Sequence, residues 1–215
     1  MAKSQIIKDI ANDSTSLSVS LKRALIIASD LKNENMKQWI QKELSGYSSN
    51  DPLPSYRRLK GVFKVTYYAL GKQRKDEPMS INSLFGENQN NQDIYECRDN
   101  IEFIESACND EKLRKLEAVN FKKELRRQID SFFLDIPQKE FSNAVAKVSE
   151  KLLSLLLEID NELGNLDNLD VCPESEEKRK AINNTINNYF GTVIKMGDNN
   201  EINKSEIIGG DNDGK

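Results

Sequence analysis

At 215 residues the chain can bury a full core in one domain, or in a domain with an extension, and its 37% apolar and 31% charged composition argues for solvated helices over a compact β-sandwich. A net charge of −4, from 31 basic and 35 acidic residues, gives no electrostatic reason to expect nucleic acid or an anionic membrane as the main partner. The absence of histidine removes the usual neutral-pH general base and the commonest metal ligand, and with them Ser-His-Asp and Cys-His nucleophiles, H-E-x-x-H zinc sites, zinc deaminases and histidine-dependent ribonucleases.

Residues from about Ser4 to Asn12 read as a short amphipathic helix with Ile6, Ile7 and Ile10 on one side. Any of Asp13, Ser14, Thr15 and Ser16 can cap the next helix, whose stripe is Leu17, Leu21, Ala24, Leu25, Ala28 and Leu31. Asn33 or Asn35 opens a third helix carrying Met36, Trp39, Ile40 and Leu44, and Gly46 stands where a left-handed stop belongs. Asp51-Pro52-Leu53-Pro54 cannot continue a helix.

The period then becomes two. Phe63, Val65, Tyr67 and Ala69 alternate with Val62, Lys64, Thr66 and Tyr68, which predicts a strand from Gly61 onward. Gly71 to Glu77 reads as a polar turn, Pro78 to Phe85 as a second short extended piece, Glu87 to Gln92 as a surface loop, and Ile94 to Cys97 as an edge strand. Ile101, Ile104 and Ala107 (or Cys108) suggest a short helix. Leu113, Leu116, Leu125, Ile129, Phe132 and Phe133 suggest further helical material.

The clearest element runs from about Gln138 to Leu163. Phe141, Val145, Val148, Leu152, Leu155, Leu156, Ile159 and Leu163 make one stripe, on a helix of about 40 Å, which serves either as the spine of the core or as a dimer seam. Gly164 to Pro173 reads as a polar linker and Glu174 to Ile186 as a last short helix with an acidic start. Beyond it, short apolar pieces around Gly-Asp-Asn-Asn read as β-prone, either docked on the helical body or pairing between copies.

The fold class expected is mainly α with a small β component (α+β): N-terminal helices, a short mixed middle, one long core helix and a β-prone C-terminal tail. The start of the chain lacks a secretory signal's apolar core, and no run approaches the ~20 apolar residues of a membrane helix. Cys97, Cys108 and Cys172 are odd in number and widely spaced, as reduced thiols of a cytoplasmic protein would be.

Candidate chemistry is thin. The basic clusters Arg57-Arg58-Leu59-Lys60 and Lys122-Lys123 with Arg126-Arg127 are flanked by acids and read as solvated faces. No phosphate-cradling G-x-x-x-x-G-K-[ST] occurs. Asp198-Asn199-Asn200-Glu201 resembles a calcium loop, yet Ile202 stands where an oxygen ligand is needed; Asp211 to Gly214 lies too near the end to be closed by a later carboxylate. Asp93, Glu96 and Arg98 are the nearest approach to a metal-dependent nuclease set, and arginine makes a poor base. No catalytic residue, metal ligand or cofactor is assigned.

The densest segment is Trp39-Ile40-Gln41-Lys42-Glu43-Leu44-Ser45-Gly46-Tyr47, followed by Leu53-Pro54-Ser55-Tyr56-Arg57. Trp39 and Glu43 share a helical face, and Arg57 can return as the partner of Glu43. The corner formed by Trp39, Glu43, Gly46, Tyr47, Pro54, Tyr56 and Arg57 reads as a structural helix–loop–strand junction or as a binding site for a partner or small ligand.

The pattern W-x-x-x-E-L-x-G-Y then L-P-x-Y-R, behind the helix of Ala24-Leu25-Ile26-Ile27-Ala28, resembles the N-terminal signature of the AbiTii family. Phe141 to Glu162 and the Gly/Asn-rich ending from Ile182 are similar to its second half; Gly61 to Phe133 follows it only in general pattern. The resemblance implies abortive infection against bacteriophage, and it brings no catalytic residues with it. It divides the chain into an AbiTii-like domain over 1–163 (helices to about 46, strands within about 56–97, helices to 163), a linker and short helix over 164–187, and a tail over 188–215. The expected partner is another protein or a second copy, a homo-oligomer held through the long helix or the tail, with no membrane and no nucleic acid.

Overall fold

Two side chains set the frame of the N-terminal helices. Ser16 accepts from the Val19 amide at 3.4 Å, and Asn33 accepts from the Met36 amide at 2.9 Å, so each satisfies a donor that the first helical turn leaves free. They open α2 (Leu17–Asp30) and α3 (Glu34–Ser45), which follow α1 (Gln5–Ala11). The structure, a computed structural model, describes residues 3–80, 93–117, 129–169, 171 and 173–197.

After a single 3-10 turn at Ser55–Arg57 come β1 (Arg58–Lys60), β2 (Val62–Ala69), β3 (Lys72–Met79) and β4 (Ile94–Glu96). Then follow α4 (Ile101–Asn109), β5 (Lys115–Glu117), β6 (Ile129–Asp135), α5 (Gln138–Leu163) and α6 (Glu176–Gly197). β1 pairs antiparallel with β4, and a separate antiparallel sheet has the order β3-β2-β6-β5. The molecule is α+β, as its patterns predict.

Two apolar clusters form the interior. One lies among the helices, with Ile6, Leu21, Ile27, Met36, Ile40, Leu152 and Ile159; the other lies against the sheet, with Leu59, Phe63, Val65, Phe132, Leu134 and Ile136. The stripe of α5 serves both. Phe141 and Ala144 face the sheet cluster, while Val148, Leu152, Leu155, Leu156 and Ile159 face the helical one. Those positions are buried within the chain itself, so this part of the stripe acts as a core spine, while Val145 and Leu163 are half-buried. No helix of the described residues is long and apolar enough to cross a membrane.

Three stretches differ from expectation. Lys72–Met79 is a strand where Gly71 to Glu77 reads as a turn, because β3 is an edge with no buried face and so carries no alternation of apolar residues to detect. Leu116 and Ile129 to Phe133 lie in strands, not helices. In β6 an irregular register beside Asp130 breaks the period of two, so Ile129, Phe132 and Phe133 mimic a helical step. Residues 188–197, expected as part of a β-prone tail, continue α6, because Ile182, Ile186 and Phe190 recur every fourth residue and are buried. The expected extended piece over 81–85, the loop over 87–92, Leu125, Cys172 and the candidate calcium loops from 198 on lie outside the described residues.

Candidate functional site

α3 places Trp39 and Glu43 one turn apart on its inner face. It ends at Gly46 with φ +90°, and the Tyr47 amide then donates to the Arg98 carbonyl at 2.8 Å. A Cβ at Gly46 would stand 2.7 Å from that carbonyl oxygen, so the stop and the close approach both require glycine. The loop beyond is stapled by Asp51. Its carboxylate accepts from Lys42 at 2.7 Å and from the Ser48 amide and hydroxyl at 2.8 and 2.7 Å, and these contacts, Lys42 foremost, hold it down to about 2.

Pro54 precedes the 3-10 turn that carries Tyr56 and Arg57 back over α3. There Glu43 Oε1 accepts from the Tyr47 hydroxyl at 2.7 Å and the Tyr56 hydroxyl at 2.6 Å, while Oε2 accepts from Arg57. Tyr56 in turn accepts from the Trp39 indole at 3.1 Å. Arg57 also donates to the Asp99 carbonyl and lies with its guanidinium 5.1 Å from the centre of the Tyr47 ring. Glu43 and Arg57 are both 0% exposed, and Trp39 is 7% exposed.

Burial fixes the charge states. It raises both tyrosine hydroxyls far above their usual range, with the Glu43 carboxylate adding to the effect, so both remain neutral donors. For Arg57 burial opposes the cation, and the Glu43 carboxylate outweighs it, holding the guanidinium above its ordinary value. Burial pushes the Cys97 thiol up to about 11, against the pull of Arg57, so it is no thiolate nucleophile near neutral pH.

Lys151 of α5 sits beside this lattice. Its ammonium lies 4.8 Å from the centre of the Trp39 ring and 4.4 Å from that of Phe190 on α6. Burial pushes this amine down to about 8, opposed by Glu43.

The structure thus gathers Trp39, Glu43, Gly46, Tyr47, Pro54, Tyr56 and Arg57 into one corner and forms the Glu43–Arg57 pair that their spacing suggests. Sequence reasoning missed Cys97, Asp99, Lys151 and Phe190, which arrive from distant segments. Lys151 borders the apolar stripe of α5, where a lysine ordinarily means a solvated flank. Asp93 and Glu96 are each spent on a cation, Lys60 at 3.9 Å and Arg98 at 2.8 Å. Among the described residues, no group of three or more cysteine, aspartate or glutamate side chains is placed to share a metal ion.

The match of the AbiTii family model covers residues 4–185, from the start of α1 into α6, and so includes the whole corner. The chain belongs to the AbiTii family. At a coarse level membership means abortive infection, a defence against phage. No curated protein and no solved structure matches the chain. In this AbiTii protein the signature residues form an interior lattice: each carboxylate oxygen of Glu43 is already taken by donors from the chain itself.

Proposed function

We propose that this AbiTii protein defends the cell by contact with another protein or by self-assembly, and not by chemistry at its signature corner. The observation that supports this reading is the burial of Glu43, Arg57 and Trp39: the signature is spent on holding α3, the 3-10 turn and the segment after β4 together.

Plaque counts on lawns with and without the gene, over a broad phage panel, test the defence itself. Protection against at least some phages is expected, and equal counts throughout would end the proposal. Light scattering over a range of concentrations tests the manner of action. A mass that rises with concentration, or on adding lysate of infected cells, is expected; turnover of nucleic acid by the purified chain with magnesium would point to catalysis instead.

A further inference from the structure

The four-stranded sheet changes character at Thr66 and Tyr67. β2 shifts register against β3 between Val65 and Tyr67, where Lys75 and Asp76 together oppose Thr66. It shifts against β6 at the same level, where Asp130 is the extra residue between the partners Ser131 and Ile129. Two bulges at one level of a central strand re-aim the hairpin end beyond them. Past Tyr67, β2 runs on with β3 through the pairs Tyr68–Gln73 and Ala69–Lys72, a two-residue ribbon that leads to the turn.

The residues on that ribbon are unusual for a hairpin end. Its apex is Leu70-Gly71, with Leu70 at φ +53° and 100% exposed. Glycine or asparagine fills that conformation cheaply, whereas leucine is strained there and the fold recovers nothing from its side chain. Tyr68 is 54% exposed. Lys72, Arg74 and Lys75 follow on β3, all exposed, and the pairs Ala69–Lys72 and Tyr67–Arg74 put two of these cations on one face. Carboxylates stand near them as well: Asp130 accepts from Gln73 at 2.9 Å and Asp76 from Thr66 at 3.2 Å, both from neutral donors that leave the charge in place, and Glu77 lies further along β3.

We propose that this hairpin end docks on an anionic phospholipid surface, with Leu70 inserted, Tyr68 at headgroup level, and Lys72, Arg74 and Lys75 against lipid phosphates. The dimensions agree. At about 3.3 Å per residue the ribbon runs roughly 10 Å from Leu70 back to the Tyr67–Arg74 pair, comparable to the depth reached by surface-bound elements. The net charge of −4 does not prevent this, because charges beyond a Debye length of about 8–10 Å from the lipid are screened. A single-stranded nucleic acid would use Tyr68 and the cations but leave Leu70 idle, and an acidic protein would need a pocket for it. A fluid lipid layer needs none.

Cosedimentation of the purified full chain with vesicles tests this. Vesicles of phosphatidylcholine with about a third phosphatidylserine are expected to hold the chain, increasingly as salt is lowered, and vesicles of phosphatidylcholine alone are not. Leu70→Gly relieves the strained φ, so it is expected to keep or raise stability while weakening binding about fivefold or more. The double variant Lys72→Glu with Arg74→Glu is expected to weaken it more than about tenfold, each cation contributing roughly a factor of five. No binding to either vesicle, equal binding by Leu70→Gly, or binding only to a single-stranded oligonucleotide or to polyglutamate overturns the proposal. The defence reading does not depend on this result, since plaque counts are a separate measurement.

Discussion

Lys151 carries its charge where two aromatic rings, Trp39 and Phe190, take the place of water. The sign of its effect on stability follows from linkage. The folded chain holds this amine at about 8 and the unfolded chain at 10.5, so the cost of burying the cation is complete below about 8. Stability from this group returns as pH climbs toward 10.5. Burial of Cys97 acts the other way, since a thiol raised from 9.0 to about 11 loses stability over that range. The two overlap, so the comparison must be between wild type and Lys151→Met. At neutral pH the Met variant is expected to be the more stable in urea, with the gap closing as pH passes 10. The emission of Trp39, the single tryptophan, reports the transition. A Met variant less stable at neutral pH would mean that cation–π attraction outweighs desolvation. The Glu43–Arg57 pair was legible in the sequence, because a carboxylate four residues after the tryptophan and an arginine beyond a proline turn leave few other geometries. Lys151 was not legible: more than a hundred residues separate it from Trp39, and spacing on one helix says nothing of which helix lies opposite.

At the scale of elements, legibility followed burial of a single face. α1, α2, α3 and α5 were readable because each turns one stripe inward, and β2 because one side of it is core. β3 has no inward face and β6 has an interrupted one, so neither carried the signal that periodicity requires. The joint after α3 is different again, since one residue decides it. Gly46 combines a positive φ with a carbonyl oxygen where a side chain would begin. Gly46→Ala is therefore expected to cost about 1–3 kcal/mol, through backbone strain and displacement of the Arg98 carbonyl from the Tyr47 amide. Chemical denaturation measures this, with Gly71→Ala as reference, where φ is also positive but no atom stands within 4 Å of the added Cβ. Equal losses at the two sites would assign the whole effect to φ and leave the contact with Arg98 without weight.

At the scale of the molecule, α5 joins the two apolar clusters, and the corner around Glu43 ties α3 to the turn before β1 and to the segment after β4. A fault in that corner should therefore be felt as lost fold, not as lost chemistry. Glu43→Ala leaves the Arg57 cation buried without its partner, a change that costs about 3–5 kcal/mol and is comparable with much of a domain's stability. In cells the expected outcome is fewer folded molecules, with phage protection falling in step with soluble protein. Growth at lower temperature should restore both together, and Glu43→Leu with Arg57→Met, which removes both charges at once, should recover more of each than Glu43→Ala does. Plaque counts read beside soluble protein on the same cultures provide the measurement. If Glu43→Ala stayed abundant and folded yet gave no protection, the corner would be acting directly on a partner or substrate, and its burial would describe only a resting state.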